Sequence, residues 1–490
     1  MLNLSEASEK TIQNSAVAAT SNAATGNAAD RLGTEPVGKL LLRFSIPAIT
    51  GMLVNALYNV VDRIFVGRGI DPLAIGGLSL VLPLMTVTLA FAMLFGIGAA
   101  NMISMRLGQG RKQEAENALT HCFILLLLAG LLLMAVGLIF MEPILSMLGA
   151  QEGSEALNYA RDYLKIILFG SAFSTVGFGL SHCTRAQGFP LTSMFAMVLG
   201  AGLNIILDPL FIYVFNWGVK GVAWATVICQ FISLVWIMSF NLGKKAVIRL
   251  NFKSFRPMPG IVFQIMSFGS AQFLLQFVMS AVQLLFNMSM GWYGEAALGV
   301  ANGGDIALSG MNIIGAITML ILMPVFGINQ GAQPIQGYNY GAKKFKRVLR
   351  AYILAVCAAT GICIAGFALC QLFPVQIISV FTAQPSPELL RFTVWSLRVV
   401  MICFIFNGFQ VVSANLFIVT GRPKFSIFLS LLRQCIVLIP CILIFGKIWG
   451  LWGIIAAGPV ADGVSLLVTG IMIGFELRKL KGQITSAVSG

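Results

Sequence analysis

Two aspartates inside apolar stretches are the residues of this chain with the clearest chemical potential. Asp62 lies in NALYNVVDRIFVG and Asp208 in GAGLNIILDPLFIY, each with asparagines one or two helical turns upstream. A carboxylate near the centre of a bilayer costs about 2.5–3.5 kcal/mol on insertion scales, so the pair needs a proton, a metal ion or a cationic partner. The two residues therefore predict a cation site inside a membrane.

The membrane assignment follows from composition. The chain has 490 residues, of which 58% are hydrophobic and 10% are charged, more apolar side chain than a water-soluble core of this length can hide. Apolar segments of about 20 residues, enough to cross a hydrocarbon core about 30 Å thick, recur from residue 40 to residue 475. Because these runs are continuous rather than alternating, they predict helices and an all-α, polytopic membrane protein. The twelve predicted spans are 40–66, 76–102, 118–140, 158–183, 191–215, 221–242, 261–291, 297–328, 351–378, 389–418, 425–445 and 450–475.

The basic residues indicate topology. The net charge is +14, and most lysines and arginines fall in loops on one side of the predicted helices, for example in 106–112 and 343–350. Loops on the opposite side contain little beyond Arg68, Lys220 and Lys447. This asymmetry predicts that both termini face the cytoplasm, and it argues against a nucleic-acid partner.

Internal repetition divides the chain into two halves. A shift of about 223 to 233 residues superimposes several landmarks, so that Gly188 and Pro190 correspond to Gly421 and Pro423. Six helices is an even number, so both halves enter the membrane from the same side and form parallel repeats. The predicted regions are a disordered cytoplasmic tail (1–38), an amino-terminal six-helix lobe (39–242), a basic cytoplasmic linker (243–260), a carboxy-terminal six-helix lobe (261–476) and a second cytoplasmic tail (477–490).

Helical spacing aligns the polar residues of the first half. Asn55, Asn59 and Asp62 occur at i, i+4 and i+7 and share one face of the first helix, while Asn204 and Asp208 repeat the four-residue spacing on the fifth. Carboxylate and amide oxygens suit a hard cation such as Na⁺, whereas a buried carboxylate can instead carry a proton. Both couplings fit this cluster.

Five stretches carry a resemblance to a known family. They are IPAITGMLVNALYNVVDRIFVGR, MRLGQGRKQEAENAL, TRAQGFP, LNIILDPLFIYVFNWGVKGVAWAT and VTGRPKF. With these stretches in this order, the chain resembles the multidrug and toxic compound extrusion (MATE) transporters, in particular bacterial MepA-like and DinF-like members, over about residues 38–476. The resemblance implies a MATE-type fold with two lobes around a central cavity. It also implies a monomeric antiporter of the bacterial cytoplasmic membrane that has no cofactor and expels organic cations and amphipathic toxins in exchange for Na⁺ or H⁺.

The same resemblance implies a ligand set. The family's cation pocket lies in the amino-terminal lobe, and its two aspartates, asparagine and threonine match Asp62, Asp208, Asn204 and Thr226, which would be the Na⁺ ligands. A further position at the end of the fourth helix, often asparagine in the family, is Ser181 here. Asn59 completes the predicted cation-coupling set because it shares the face of Asp62.

The second half carries neutral amides where some family members place coupling acids. Coupling from this half is therefore not expected, but amides can line a substrate cavity without fixing a proton. One polar stripe at helical spacing runs through the seventh helix. The predicted substrate-cavity residues are Asn55, Gln272, Gln276, Gln283, Asp305, Asn407 and Gln410.

Three further charges inside apolar runs have competing interpretations. Asp305 is either a contact for a cationic drug or an outer-leaflet residue that reaches water near the start of its helix. Asp462 and Arg433 are predicted to pair with each other in a structural role.

Two other function classes stay open. A flippase for lipid-linked saccharides has a similar helical plan but would need cavity-facing lysines or arginines for pyrophosphate, and this chain has more intramembrane acids. A membrane-embedded lipid transferase would turn over a lipid without an ion gradient. The sequence contains no P-loop, HExxH or GxSxG motif, so we expect a secondary transporter rather than an enzyme.

Overall fold

The computed structural model describes residues 28–489 apart from 71, 149–154, 253–254, 299–301 and 383–385, and within this part of the chain it is helical without strands. We number the membrane-spanning helices α1 to α12. They are α1 Val37–Gly69, α2 Pro72–Gly108, α3 Lys112–Ile139, α4 Glu155–Ala186, α5 Pro190–Pro209, α6 Gly218–Leu242, α7 Pro259–Leu298, α8 Gly303–Gly341, α9 Phe345–Leu372, α10 (Pro387–Met401 and Asn407–Val419), α11 (423–449) and α12 (451–489). Short helices Met141–Met147 and Pro374–Phe381 follow α3 and α9.

The count of twelve depends on two broken helices. The halves of α10 are bent by 44° around the 3₁₀ turn Phe404–Phe406, which the sequence did not predict. A run of 63 residues from Pro423 to Thr485 meets the length and hydropathy expected of one span, but at 1.5 Å per residue it is about 95 Å long, three times the hydrocarbon core. It breaks at Gly450, whose φ of 59° and ψ of −138° are not helical. The predicted all-α, twelve-helix architecture is confirmed.

The prediction of a disordered tail over residues 1–38 is wrong for the part that the structure describes. Residues 28–34 form a helix whose Leu32 is completely buried, while residues 1–27 lie outside the described residues. Asn339 Nδ2 donates to the Leu32 carbonyl over 2.8 Å, and Arg347 Nη2 donates to the Glu35 carbonyl over 2.5 Å. These contacts satisfy backbone groups that a free tail would leave to water, and composition alone does not reveal them. At the carboxy-terminal end, α12 stays helical to Ser489 through the predicted cytoplasmic tail.

The basic segment between α6 and α7 lies against the first six helices. The Ile248 backbone N–H donates to Gln187 Oε1 over 3.3 Å, and the Met258 N–H donates to His121 Nε2 over 3.0 Å. The Phe255 ring packs on the His121 ring with centroids 4.9 Å apart. The segment is therefore held along the ends of α3 and α4 rather than hanging between the halves.

Glycines bring the two halves of the chain into contact. In α2 and α7, Gly98 faces the Ile265 carbonyl and Gly269 faces the Leu94 carbonyl, each so closely that a Cβ would overlap the partner backbone. In α8, Gly327 approaches Ile49 in the same way. These contacts lie in the half of the helices that ends at the basic loops, so the two six-helix groups are closed together at that end.

Adding a single methyl group at this contact tests its importance. We expect Gly269→Ala to lower the melting temperature of the purified protein, because overpacking a tight contact costs about 1–3 kcal/mol. Gly361→Ala in α9 is the matched control, since its Cβ would meet nothing within 4 Å. Equal melting temperatures for the two variants, measured by scanning fluorimetry in detergent, would contradict a glycine-dependent closure.

Candidate functional site

The two predicted aspartates meet where α1 packs against α5. Asp208 is completely buried, and the carboxyl of Asp62 lies in hydrogen-bonding range of its carboxyl. Asn204, one helical turn before Asp208, is 2% exposed and donates from Nδ2 to Asp208 Oδ1 over 3.1 Å. Two acidic groups and an amide thus converge from two helices, as the four-residue spacing on α5 predicts.

The backbone of α5 changes immediately after Asp208. Pro209 has no N–H, and from Leu210 to Val214 the helix continues as a π-helical turn. The Phe215 N–H donates to the Leu210 carbonyl over 3.1 Å, a spacing of five residues. Such turns occur frequently at functional sites, because the wider turn re-aims the neighbouring side chains. In contrast, α1 runs through Pro47 as one helix.

Tyr163 on α4 joins this cluster and was not predicted. Its side chain is 4% exposed, its hydroxyl lies beside the Thr226 side chain on α6, and Tyr58, Asp62 and Asp208 are electrostatic neighbours of that hydroxyl. The only signal in the sequence is a tyrosine within an apolar helix, which more often indicates packing. Only the packing of α4 against α6 shows that the hydroxyl reaches the carboxylates.

The remaining members of the predicted cation set differ in position. Thr226 is half-buried and donates to the Val222 carbonyl over 3.0 Å, so its oxygen keeps lone pairs for another partner. Ser181 is buried and donates to the Gly177 carbonyl over 2.9 Å. The side chain of Asn59 lies outside the described residues. A Na⁺ role for Thr226 and a coupling role for Ser181 and Asn59 stay predictions.

The cluster has the chemistry of a cation site. Asn204 Oδ1 is buried without a hydrogen-bond partner in the described part of the chain, next to two carboxylates. A buried carbonyl oxygen left unpaired is costly, and a cation or a protonated carboxyl would satisfy it. Oxygen ligands are those that hard cations prefer, so Asp62, Asn204 and Asp208 fit Na⁺ as well as a proton.

The charges of the second half form a separate cluster. Asp462 on α12 accepts from Arg433 Nε on α11 and, over 3.4 Å, from Asn407 Nδ2 on α10. Gln410 Nε2 donates to the Asp462 backbone carbonyl over 2.9 Å. The predicted pairing of Asp462 with Arg433 is confirmed. The structure therefore gives Asn407 and Gln410 a bonding role around Asp462, and their contact with substrate stays a prediction.

The other predicted cavity residues lie on three helices. Gln272 and Gln276 are half-buried on α7, and farther along Gln283 Nε2 donates to Asn287 Oδ1 over 2.9 Å. Asn55 is exposed on α1. Asp305 is exposed in the first turn of α8, as its outer-leaflet interpretation requires. A negative charge is favourable there because the helix dipole is positive at the amino-terminal end. Substrate contact by these residues stays a prediction.

Comparison with known proteins identifies the class. The fold and site are those of a polytopic membrane transporter, and the MatE family model matches residues 47–210 and 271–444, one segment in each half. The chain belongs to the MATE family of transporters. It is 26% identical over 460 residues to the multidrug export protein MepA of Staphylococcus aureus, covering 93% of this chain and 97% of that protein. It is also 26% identical over 447 residues to MepA of Staphylococcus haemolyticus, covering 90% and 94%.

Solved structures agree with this assignment. An outward-facing multidrug resistance MATE family transporter of the MOP superfamily superposes with a TM-score of 0.84 at 26% identity, covering 92% of this chain and 98% of that one. A MOP superfamily transporter from Pyrococcus furiosus, described as having a binding pocket of reversed polarity, superposes with a TM-score of 0.85 at 26% identity and the same coverage. These relatives are transporters, so the chain is not an enzyme.

The role of the unpredicted tyrosine can be measured directly. We expect Tyr163→Phe to weaken cation binding by about 2- to 10-fold, the scale of one net hydrogen bond. The substitution removes a hydroxyl that lies beside Thr226 and near the two carboxylates. The measurement is the rise in melting temperature of purified protein on titration with Na⁺ or acid. Tyr159→Phe, one turn earlier on α4, is the matched control. An unchanged titration in Tyr163→Phe would remove this residue from the site.

Proposed function

We propose that this chain is a secondary active multidrug efflux antiporter that expels organic cations and amphipathic toxins in exchange for Na⁺ or H⁺. The observation that carries the proposal is the pair of facing carboxyls, Asp62 and Asp208, with the Asn204 amide beside them inside the membrane. Two adjacent buried carboxylates repel each other unless a cation or a proton neutralises them. Their charge state thus reports whether a coupling ion is bound.

Coupling follows if occupancy of this pair biases the helices that carry it. The carboxylates lie on α1 and α5, and α1 also packs against α8 of the second half, where Gly327 approaches Ile49. A change at the pair can therefore reach the contact between the two halves. The named relatives, MepA of two staphylococci and MATE structures, support a multidrug substrate range.

Architecture and orientation belong to the same proposal. The two six-helix groups would act as lobes that open alternately on either side of a central cavity, the general scheme of repeat-built transporters. The basic loops between α2 and α3 and between α8 and α9 support an inner-membrane location with both termini in the cytoplasm. The close contact of the lobes at that end would leave the central cavity open outward. We propose a monomer as the functional unit.

Transport in proteoliposomes tests the function and the coupling site together. We expect ethidium efflux to be driven by an imposed Na⁺ or H⁺ gradient, and Asp208→Asn to abolish the effect of the gradient, because a neutral amide neither titrates nor balances a cation. Glu142→Gln is the control, since Glu142 is an exposed acid paired with Arg161 at the membrane surface.

Two outcomes would contradict the proposal. If gradient-driven ethidium efflux were unchanged in Asp208→Asn, the assignment of Asp208 to the coupling site would be wrong, although the protein would still be a transporter. Absence of gradient-driven efflux of any organic cation by the unmodified chain would defeat the antiporter assignment.

A further inference from the structure

The Arg433 cluster, formed by Asn407, Arg433 and Asp462, contains a carboxylate that is already neutralised. Asp462 is 5% exposed, and its two carboxyl oxygens accept from Arg433 Nε and Asn407 Nδ2. This cluster therefore differs from the Asp62 and Asp208 pair, in which two carboxyls face each other and an amide donates to one of them. A coupling ion has no charge left to balance at Asp462.

The guanidinium of Arg433 is held by one edge only. Its Nε binds Asp462, whereas the two Nη groups have no acceptor in the described part of the chain, and 34% of the side chain is exposed. The planar group is thus fixed in orientation by a buried partner while its outer edge stays accessible. Two parallel N–H donors on such an edge match the two oxygens of a carboxylate.

The depth of Arg433 indicates what its open edge faces. Arg433 is the eleventh residue of α11, about 15 Å from the start of that helix and near the middle of the bilayer. A guanidinium exposed to lipid there would cost about 2.5–3.5 kcal/mol or more, so charged side chains at this depth face the bundle interior or a water-filled cavity. Because 34% of the Arg433 side chain is accessible, its open edge is expected to face a water-filled cavity rather than lipid.

The position of Arg433 in the internal repeat also indicates that its open edge faces the region between the two halves. Helices α10, α11 and α12 correspond to α4, α5 and α6, which carry Tyr163, Asp208 and Thr226 around the carboxylate pair of the first half. The corresponding helices of the second half present a positive group instead. The two halves thus offer different groups to a molecule between them, two carboxyls in the first and the donor edge of a guanidinium in the second.

We propose that Arg433 is the residue that binds the carboxylate of those amphipathic substrates that carry one. This inference rests on the proposed efflux function and assigns a residue to the recognition of one substrate group. Asp462 and Asn407 are positioning residues that hold the guanidinium with its Nη edge toward the cavity. A carboxylate there forms two charge-assisted hydrogen bonds, while a cationic end of the same molecule is free to approach the acidic half.

A matched pair of dyes separates this subsite from general drug binding. Rhodamine B carries a free carboxylate, and its ethyl ester has the same cationic xanthene without that charge. We measure binding of both to the purified full chain by fluorescence anisotropy, and efflux of both from proteoliposomes. Arg433→Lys keeps the positive charge beside Asp462 but removes the two-pronged edge.

We expect Arg433→Lys to weaken rhodamine B binding about tenfold more than ester binding, the scale of one charge-assisted hydrogen bond. The double variant Arg433→Gln with Asp462→Asn should show the same selective loss while leaving no uncompensated buried charge. Arg391→Lys, at an exposed arginine near the start of α10, is the control and should bind both dyes like the unmodified chain.

The subsite would be contradicted if both variants changed the affinities for the two dyes equally, or if neither variant changed them. Arg433 would then be only the partner of Asp462 in a structural ion pair. In those cases, gradient-driven efflux of the ester by the unmodified chain would still uphold the proposed function. Efflux of neither dye would count against both proposals.

Discussion

The cost of placing a charge inside a membrane is the constraint on which the two polar clusters of this protein depend. A carboxylate at depth must be neutralised, and the two halves of the chain meet this requirement differently. In the second half Asp462 has a permanent partner in Arg433. In the first half Asp62 and Asp208 face each other, and the Asn204 amide donates to Asp208. The exchangeable cation that we propose therefore belongs to the first half, where it would neutralise this pair.

Local helix geometry makes both clusters possible. A π-helical turn follows Asp208, and another, Leu432–Leu438, contains Arg433. The wide turns occur on α5 and α11, which are corresponding helices of the repeat. Regular α-helices present polar residues only at spacings of three or four, whereas a π turn shifts the register within the helix. The repeated distortion fits helices that each carry a charge toward the centre of their own half.

Much of this arrangement was predictable from sequence because membrane constraints are strong. Long apolar runs identified the helices, and the spacing of Asn204 and Asp208 predicted a shared face that the structure contains. The pairing of Asp462 with Arg433 followed from the cost of leaving either charge alone. The helix at 28–34 was not predictable, since Ala, Asn, Ser and Thr predict a disordered tail, and the side chains that hold it, among them Asn339 and Lys344, lie more than 300 residues away. Tyr163 and the bend in α10 likewise depend on contacts between helices, which local sequence patterns do not contain.

The most direct test of the account is whether the coupling ion and the drug oppose each other at the carboxylate pair. Binding at linked sites is reciprocal, so ethidium affinity of the purified protein should fall as Na⁺ or proton concentration rises. The account predicts this dependence in the unmodified chain and its loss in both Asp62→Asn and Asp208→Asn, measured by equilibrium fluorescence titration. A dependence that persists at full size in both variants would contradict the central role of these two aspartates.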